Sequence, residues 1–265
     1  MTRTCVVTGA ASGIGAATAV LLRERGSRVI TSDLHDADVI ADLATADGRA
    51  AFVDGVTRRS GGIVDAVVAN AGGGPPQSSV QLNFFGAVAT LAGLRPLLAR
   101  SAAPRAIAIS SIALLGATRT DLVQACLNGD EAAALDVARN VWDDATAAGG
   151  DATSGGVALY ANSKLALNRW CRRAAPSAEW AGAGILLNVV ALGFYDTPAA
   201  AYILGNPASR QAMAAMVPLR GAFPGDPREA AALLAWLTSA ENTQLTGQVI
   251  FADGGFECRV RENAA

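Results

Sequence analysis

The sequence has few of the residues from which metal centres and disulfide frameworks are built. Among its 265 residues there is one histidine, His35, and there are four cysteines, Cys5, Cys126, Cys171 and Cys258. The cysteines are scattered, and no two of them form a C-x-x-C pair. The pattern therefore predicts neither a metal site nor disulfide bonds, and it favours reduced thiols in a cytoplasmic protein.

Long apolar runs and blocks of basic residues are also lacking. No uninterrupted apolar run is long enough to cross a bilayer, and glycines interrupt the N-terminal segment too early for a secretory signal. The formal net charge is -2, with acidic and basic residues mixed along the chain. Because nucleic-acid binding needs clustered positive charge, we expect neither a membrane nor a nucleic acid as a partner.

Hydrophobic residues make up 51% of the chain, and they fall in short β-branched runs that alternate with longer helical stretches. Apolar strands separated by helices are typical of a parallel sheet covered on both faces. We therefore predict one α/β domain over 1–265, a Rossmann-like doubly wound sheet of about seven strands. The predicted strands are 3–8, 28–32, 39–41, 63–69, 106–110, 185–191 and 248–252, and the main helices are 14–25, 76–100, 157–175 and 227–239.

One segment, 118–150, is longer than a strand-to-helix connection requires. Asn128-Gly129 indicates a helix end, and Asp130 can cap a second, amphipathic helix that ends near Gly149-Gly150. We predict a helical insertion before the helix at 157–175. It is either a surface elaboration, or a subunit contact or lid over the functional site.

A glycine-rich turn joins the first strand to the first helix. It reads Thr8-Gly9-Ala10-Ala11-Ser12-Gly13-Ile14-Gly15. Glycine lets the backbone approach a pyrophosphate, and the helix N-terminus offers free N–H groups and positive dipole charge. Asp33 closes the second strand, where a carboxylate can bind ribose hydroxyls and would repel the 2′-phosphate of NADP. The pattern predicts a dinucleotide site with NAD as the cofactor, although an acid at a strand end can also be merely solvated.

Tyr160 and Lys164 lie four residues apart in a predicted helix and therefore share one face. An ammonium group near a phenol favours the phenolate and lowers the pKa of the tyrosine. Such a tyrosine can act as a general acid in reduction and as a general base in oxidation. A Y-x-x-x-K pattern taken alone can arise by chance on a helix surface.

These motifs, in their order along the chain, resemble those of the short-chain dehydrogenase/reductase family. The spacing Thr-Gly-x-x-x-Gly-x-Gly, Asn70-Ala71-Gly72, Asn83-Phe84-Phe85-Gly86 and Tyr160-x-x-x-Lys164 carry the resemblance, which extends to Asp253-Gly254-Gly255. It implies an oxidoreductase that transfers a hydride between a nicotinamide cofactor and a carbonyl or alcohol. The residues it implies for the cofactor are Gly9, Ser12, Gly13, Ile14, Gly15, Asp33, Leu34, Asp42, Leu43, Asn70, Ala71, Gly72, Tyr160, Lys164, Gly193 and Thr197.

The resemblance also implies a catalytic set of Asn83, Ser111, Tyr160 and Lys164. Ser111 would hold the substrate oxygen beside Tyr160, whereas Ser110 would be a structural hydroxyl. Asn83 would kink its helix and hold water for a proton relay to Lys164.

The resemblance further implies that 197–220, the lid segment, covers the substrate, with Ser111, Tyr160, Phe194 and Tyr195 as substrate contacts. The chain departs from the family in having Leu192-Gly193 where the family has Pro-Gly. Leucine does not fix φ as proline does, so the order of this loop and the cofactor affinity are in question.

Two features resemble one subgroup, the bacterial 3α-hydroxysteroid dehydrogenase/carbonyl reductases. The path from Asp33 to Asp42 lacks a long helix, and a long insertion precedes Tyr160. A 3-hydroxysteroid, its ketone or a xenobiotic carbonyl is the substrate this implies, with an aryl or allylic alcohol of the coniferyl type as the alternative. The family usually forms homodimers or homotetramers. A non-catalytic dinucleotide-binding sensor is a third possibility, against which the intact Ser111, Tyr160 and Lys164 argue.

Overall fold

A computed structural model describes residues 2–73, 78–147 and 152–261. It contains seven strands: β1 (Thr4–Thr8), β2 (Arg28–Asp33), β3 (Val39–Ile40), β4 (Ala66–Ala69), β5 (Arg105–Ser111), β6 (Leu186–Leu192) and β7 (Val249–Ala252). They form one sheet in the order β3-β2-β1-β4-β5-β6-β7, and every neighbouring pair is parallel. The predicted Rossmann-like parallel sheet is confirmed. The strand order reverses between β1 and β4, the place where such sheets bind ligands beyond their carboxyl ends.

Helices cover both faces of the sheet. They are α1 (Gly13–Glu24), α2 (Ala46–Ser60), α3 (Ala87–Leu98), α4 (Thr120–Leu127), α5 (Glu131–Ala147), α6 (Ala152–Ala174), α7 (Ala201–Leu204), α8 (Pro207–Met216), α9 (Pro227–Leu237) and α10 (Phe256–Val260). Leu22 of α1 and Leu234 of α9 belong to one core cluster, and Phe52 of α2, Leu94 of α3 and Leu167 of α6 belong to the other. Two separate cores are expected when each face of a parallel sheet is buried.

Helix α2 has no counterpart among the predicted elements. Its apolar residues are few, and Gly48 and Gly55 lie inside it, so its apolar periodicity is weak. The local signals are nevertheless present. The Thr45 side chain accepts from the amide of Gly48, and Gly61 ends the helix with a φ of 69°. These are ordinary N-terminal and C-terminal caps.

Only residues 34–38 separate β2 from β3, which confirms the short path predicted between Asp33 and Asp42. Asp38 folds this connection back along β2, because its Oδ2 accepts from both the amide and the hydroxyl of Thr31 at 2.9 Å. Burial would raise the pKa of Asp38, but these hydrogen bonds outweigh it and hold the pKa below its ordinary value.

The two helices predicted in the insertion are present as α4 and α5. Gly129 has a φ of 75°, and Asp130 accepts from the amide of Ala133 at 3.0 Å, so the predicted break and cap are confirmed. Leu122 and Val141 are buried in the same core cluster as α6. The insertion is therefore built into the core, although its predicted end at Gly149-Gly150 lies outside the described residues.

In the described ranges, no helix has both the length and the apolar character needed to cross a bilayer. The same part of the chain holds no group of three or more histidine, cysteine, aspartate or glutamate residues placed to bind a metal ion.

Candidate active site

The glycine turn between β1 and α1 requires residues without side chains. Gly9 and Gly13 have φ values of 66° and 54°, and a Cβ on Gly15 would lie 2.0 Å from the carbonyl oxygen of Gly9. Asn70, just after β4, fastens this turn. Its Nδ2 donates to the carbonyl oxygens of Thr8 and Gly9 at 2.9 and 3.1 Å. The turn is therefore fixed in shape, and its backbone can approach a ligand closely.

The first turn of α1 has no side chain that would compete with or repel a bound anion. Ser12 makes no side-chain capping hydrogen bond, and no acidic residue lies in the first turn. In contrast, the side chains of Thr45 and Asp226 cap α2 and α9. Free N–H groups and the positive end of the helix dipole favour phosphate binding, so the residues of this turn fit a dinucleotide pyrophosphate.

Asp33 lies at the end of β2 beside the glycine turn. Its carboxylate accepts from the amides of Ala11 at 2.9 Å and Leu34 at 2.7 Å, which fixes its orientation. Asp42, also predicted to contact the cofactor, is exposed and accepts from the amide of Ala44. Its neighbour Leu43 is buried. The position of Asp33 fits the ribose that follows a pyrophosphate on α1.

Ser111 and Tyr160 are brought together by β5 and α6. Ser111 ends β5 and begins the 3₁₀ turn Ile112–Leu115, where its hydroxyl accepts from the amide of Ala113 at 3.2 Å. A side-chain hydrogen bond joins Ser111 to Tyr160. Ser110 instead donates to the carbonyl oxygen of Lys164 at 3.4 Å, a structural contact of the kind predicted for it.

Lys164 lies one helical turn beyond Tyr160 and is buried. Its Nζ donates to the carbonyl oxygen of Ile109 at 2.8 Å. A Cβ on Gly72 would lie 3.0 Å from this Nζ and 2.9 Å from Oδ1 of Asn83, so glycine at this position lets both polar groups meet the end of β4. Burial lowers the pKa of Lys164 to about 8, because removal from water disfavours the ammonium form.

The pKa of Tyr160 differs from the prediction. Burial raises it above the ordinary value, the hydrogen bond with Ser111 lowers it, and the charge of Tyr202 raises it further. The ammonium of Lys164 lies 5.8 Å from the centre of the Tyr160 ring and hydrogen-bonds to a backbone carbonyl instead. Lys164 is thus not among the groups that lower this pKa, and Ser111 is the group that favours the phenolate.

Asn83 lies in a π-helical stretch, Gln81–Gly86, immediately before α3. Its Oδ1 accepts from the amide of Gly73 at 2.9 Å, and its Nδ2 donates to the hydroxyl of Ser79 at 2.8 Å. The irregular helix agrees with the predicted kink. Pro76, the predicted start of this helix, lies outside the described residues.

The residues after β6 lie in two environments. Thr197 packs on the glycine turn, since a Cβ on Gly13 would lie 3.1 Å from its Cγ2. Phe194 stacks edge-on against Phe223 and Phe256, with ring centres 5.7 and 6.2 Å apart. The Tyr195 hydroxyl donates to the carbonyl oxygen of Ala252 at 3.1 Å. Tyr195 therefore binds the end of β7, and its described contacts do not include Ser111 or Tyr160.

Leu192, which stands where the family has proline, is accommodated as a regular residue of the sheet. Leu192 is the last residue of β6, where it pairs with Ser111 of β5 and Ala252 of β7. Its side chain is buried in the core cluster of α1 and α9. Gly193 follows at a close approach, because a Cβ there would lie 2.7 Å from Cα of Asp253.

A cavity of about 240 Å³ lies beside Phe194 and Tyr195, and its lining does not include Ser111 or Tyr160. Its lining combines aromatic side chains with two acidic residues and includes Phe194, Tyr195, Leu219, Glu229, Phe251 and Asp253.

A family model described as enoyl-(acyl carrier protein) reductase matches residues 9–257. The 3-alpha-hydroxysteroid dehydrogenase/carbonyl reductase of Comamonas testosteroni is 34% identical over 262 residues, covering 97% of each chain. The chain belongs to the short-chain dehydrogenase/reductase family. It is thus an oxidoreductase of a family that binds nicotinamide dinucleotides.

Two further similarities support membership of the short-chain dehydrogenase/reductases. The crystal structure of the 3-alpha-hydroxysteroid dehydrogenase from Pseudomonas sp. B-0831 complexed with NADH superimposes with a TM-score of 0.84 and 35% identity, covering 98% of this chain and 99% of that one. The cis-4-hydroxycyclohexanecarboxylate dehydrogenase of Sinomonas cyclohexanicum is 32% identical over 283 residues, covering 96% of both.

Sequence reasoning missed one polar residue of this dehydrogenase/reductase site, Asn162, inside the Tyr160–Lys164 motif. It is buried and bonds to the start of the insertion. An amide side chain within an otherwise small-residue motif was the available signal. Tyr202, which lies in the predicted lid segment, interacts electrostatically with Tyr160.

Proposed function

We propose that this protein interconverts a secondary alcohol and a ketone, with NAD(H) as the hydride carrier. The observation that carries the proposal is the hydrogen bond between Ser111 and Tyr160, with buried Lys164 one helical turn beyond. The site lies at the carboxyl ends of the strands, on the same edge as the glycine turn. This is the edge at which open parallel sheets bind their ligands.

The chemistry divides between the cofactor and the chain. A bound nicotinamide dinucleotide supplies or accepts the hydride. The Ser111 hydroxyl holds the substrate oxygen and stabilises the negative charge that develops there. Tyr160 donates its phenolic proton to that oxygen in reduction, and its phenolate takes the hydroxyl proton in oxidation. Lys164 and Asn83 would hold the nicotinamide ribose and the water beside it.

Preference for NAD over NADP is supported by Asp33. Its two oxygens are fixed by backbone amides beside the glycine turn, so the carboxylate cannot turn away from a 2′-phosphate. None of the described arginines forms an ion pair with it, and Lys164 is the only lysine in the sequence. A fixed negative charge repels the extra phosphate of NADP.

A hydrophobic cyclic substrate is supported by the named substrates of two relatives. These are a 3-alpha-hydroxysteroid and a hydroxycyclohexanecarboxylate, and both carry a secondary alcohol on a six-membered ring. In this chain Tyr202 of the lid segment interacts electrostatically with Tyr160, and Phe194, just before that segment, packs against Phe223. Aromatic side chains of this kind suit an apolar ring. A 3-hydroxysteroid, its ketone or a xenobiotic carbonyl is therefore the proposed substrate class.

We also propose a homodimer or homotetramer that uses the helices carrying Asn83 and Tyr160. Val157 of α6 is about half exposed, which leaves an apolar side chain on one of these helices for such a contact.

The test is the initial rate of androsterone oxidation, followed as NADH formed from NAD and as NADPH formed from NADP. We expect turnover with NAD and a strong preference for it. Asp33→Asn should reduce the ratio of kcat/KM for NAD to kcat/KM for NADP by about tenfold or more, because the repelling charge is lost. Asp36→Asn is the matched control, since it removes a charge from the same connection at an exposed position.

Preference for NADP, or an equal response of the two variants, would contradict the role of Asp33. Bound NADH without turnover of androsterone would contradict the hydroxysteroid assignment and would favour aryl or allylic alcohols.

A further inference from the structure

Asn162 lies between the two reactive residues of the motif on α6 and is only 1% exposed. Its Oδ1 accepts from the amide of Arg119 at 2.7 Å. Its Nδ2 donates to the carbonyl oxygen of Ala117 at 3.2 Å and to that of Ala158 at 2.9 Å. An alanine at this position could make none of these bonds, and a buried amide whose hydrogen bonds are all satisfied fixes its neighbours firmly.

The segment that Asn162 holds begins at Ser111. The amide of Ala113 donates to the Ser111 hydroxyl at 3.2 Å, and the amide of Gly116 donates to the carbonyl of Ala113 at 3.0 Å. This short segment is thus tied to β5 at its first residue and to α6 near its last. The tie to α6 fixes the 3₁₀ turn, and through it the Ser111 hydroxyl, relative to the helix that carries Tyr160.

Arg119, whose amide donates to Asn162, also contacts the insertion through its side chain. The Arg119 guanidinium donates to both carboxylate oxygens of Asp121 in α4, at 3.2 and 2.9 Å. It also lies 3.8 Å from the carboxylate of Asp144 in α5. Arg119 therefore joins both inserted helices through its side chain, and joins α6 through its backbone amide.

We infer that Asn162 is a positioning residue that sets the Ser111 hydroxyl against Tyr160 by tying the segment after Ser111 to α6. The inference rests on the proposed function, because it assigns a role in the proton transfer there. Loss of the tie loosens the Ser111–Tyr160 hydrogen bond. Since that bond lowers the pKa of Tyr160, its loss should raise this pKa.

The test compares Asn162→Ala with Asn168→Ala. Asn168 lies on the same helix and is buried, but its Oδ1 accepts no hydrogen bond, so the same substitution removes no comparable tie. For Asn162→Ala we expect kcat for alcohol oxidation to fall by about tenfold, as small misplacements of reacting groups do, while the KM for NAD stays unchanged. Oxidation needs the phenolate, so the rising limb of the pH–rate profile should also move to higher pH. Asn168→Ala should leave both unchanged.

Among the described residues, the titratable groups that face Tyr160 are Lys164 on α6 and Tyr202 on α7. Both are retained in every variant, so a shift of the limb reports on the Ser111 contact. The inference would be overturned if Asn162→Ala lost activity only in proportion to the fraction of unfolded protein, with the rising limb of its pH–rate profile unchanged. Asn162 would then be only structural.

A second pair of variants leaves Asn162 in place. Arg119→Pro removes the amide that donates to Asn162, whereas Arg119→Ala keeps that amide and removes only the side-chain contacts. The same pH shift with proline but not with alanine is expected. This pair keeps the inference testable if Asn162→Ala does not fold.

A readout without turnover separates this inference from the proposed function. The chain has three tyrosines, so ¹³Cζ-tyrosine labelling gives three NMR signals that single phenylalanine variants assign. The Tyr160 signal should titrate at higher pH in Asn162→Ala than in Asn168→Ala. If the wild-type enzyme turns over no alcohol, the proposed function fails while this titration still decides the role of Asn162. Identical titrations would overturn it.

Discussion

The two sides of the candidate site are built in opposite ways. On the α6 side, Asn162, Ser163 and Lys164 are buried, and apolar residues of α4, α5 and α6 share one core cluster. On the lid side, no side chain in Pro198–Ala200, α7 or α8 is buried. Side chains that transfer protons need fixed geometry, whereas a surface that admits a substrate must yield to it.

Composition does not explain this difference, because α5 and α8 are both rich in alanine. Anchoring does. The insertion is held by Asn162 and by an ion pair in which Arg49 of α2 lies 2.6 Å from Glu131 of α5. The pair is only partly exposed, so it is less screened by solvent than a surface pair. These polar contacts hold the insertion against the rest of the domain.

The largest expected effect is on stability, and it should be confined to the α6 side. Leu122 in the insertion is fully buried, so Leu122→Ala should lower the free energy of unfolding by about 2–5 kcal/mol through lost contacts and a residual cavity. Leu219 in the lid segment is 62% exposed, and Leu219→Ala should change it by less than about 0.5 kcal/mol. Urea unfolding measures both. Equal losses would erase the distinction between the two sides.

The buried Lys164 should make stability depend on pH with an unusual sign. Its pKa is about 8 in the folded chain and 10.5 as the ordinary value, so between these values the unfolded state binds more protons. Stability should therefore rise with pH across this window, by up to about 3 kcal/mol. Buried thiols such as Cys5, whose pKa burial raises to about 11, act in the opposite direction. The measured quantity is thus the wild-type free energy of unfolding minus that of Lys164→Met.

Because Lys164 is the only lysine, ¹³Cε-lysine labelling follows the same group directly by NMR. A titration midpoint near the ordinary pKa of lysine would mean that water reaches Lys164 in the folded protein. A difference in free energy of unfolding from Lys164→Met that does not change with pH would mean the same.

The smallest expected effect belongs to the lid side. Tyr202 is 68% exposed and interacts electrostatically with Tyr160, so it belongs to the surroundings of the site and not to the core. Tyr202→Ala should raise the KM for androsterone by about tenfold through lost apolar contact, with the melting temperature and the KM for NAD unchanged. Tyr202→Phe, which keeps the ring, is the control. A fall in melting temperature like that of Leu122→Ala would place Tyr202 in the core.

Much of the fold could be predicted from the sequence, because apolar strands and capped helices are local signals. The helix predicted at 227–239 is present as α9, and a capping box of Asp226 and Glu229 begins it. Helix α2 escaped prediction because its few apolar residues give little periodicity, even though Thr45 and Gly61 cap it. Packing decided that element, and packing is not visible in a local window.

The sequence could indicate which residues belong to the candidate site, but not their pKa values or their hydrogen-bond partners. Ser111 and Tyr160, which the sequence assigned to the two sides of one substrate oxygen, form a side-chain hydrogen bond. The direction of the Tyr160 pKa was not predictable, since it depends on burial and on where Nζ of Lys164 donates. The hydroxyl of Tyr195, a predicted substrate contact, donates to the carbonyl oxygen of Ala252 in β7. Side-chain direction after a strand end depends on the neighbouring strand, which sequence spacing alone does not fix.

The central claim is that Tyr160 moves the proton, and Tyr160→Phe tests it most directly. Androsterone oxidation and NADH binding should be measured side by side in Tyr160→Phe and in Tyr195→Phe, which removes a hydroxyl bonded only to the Ala252 carbonyl among its described contacts. We expect Tyr160→Phe to lose about 10²- to 10⁴-fold in kcat while NADH still binds, and Tyr195→Phe to keep turnover. A near-normal kcat in Tyr160→Phe would contradict the assignment of proton transfer to Tyr160.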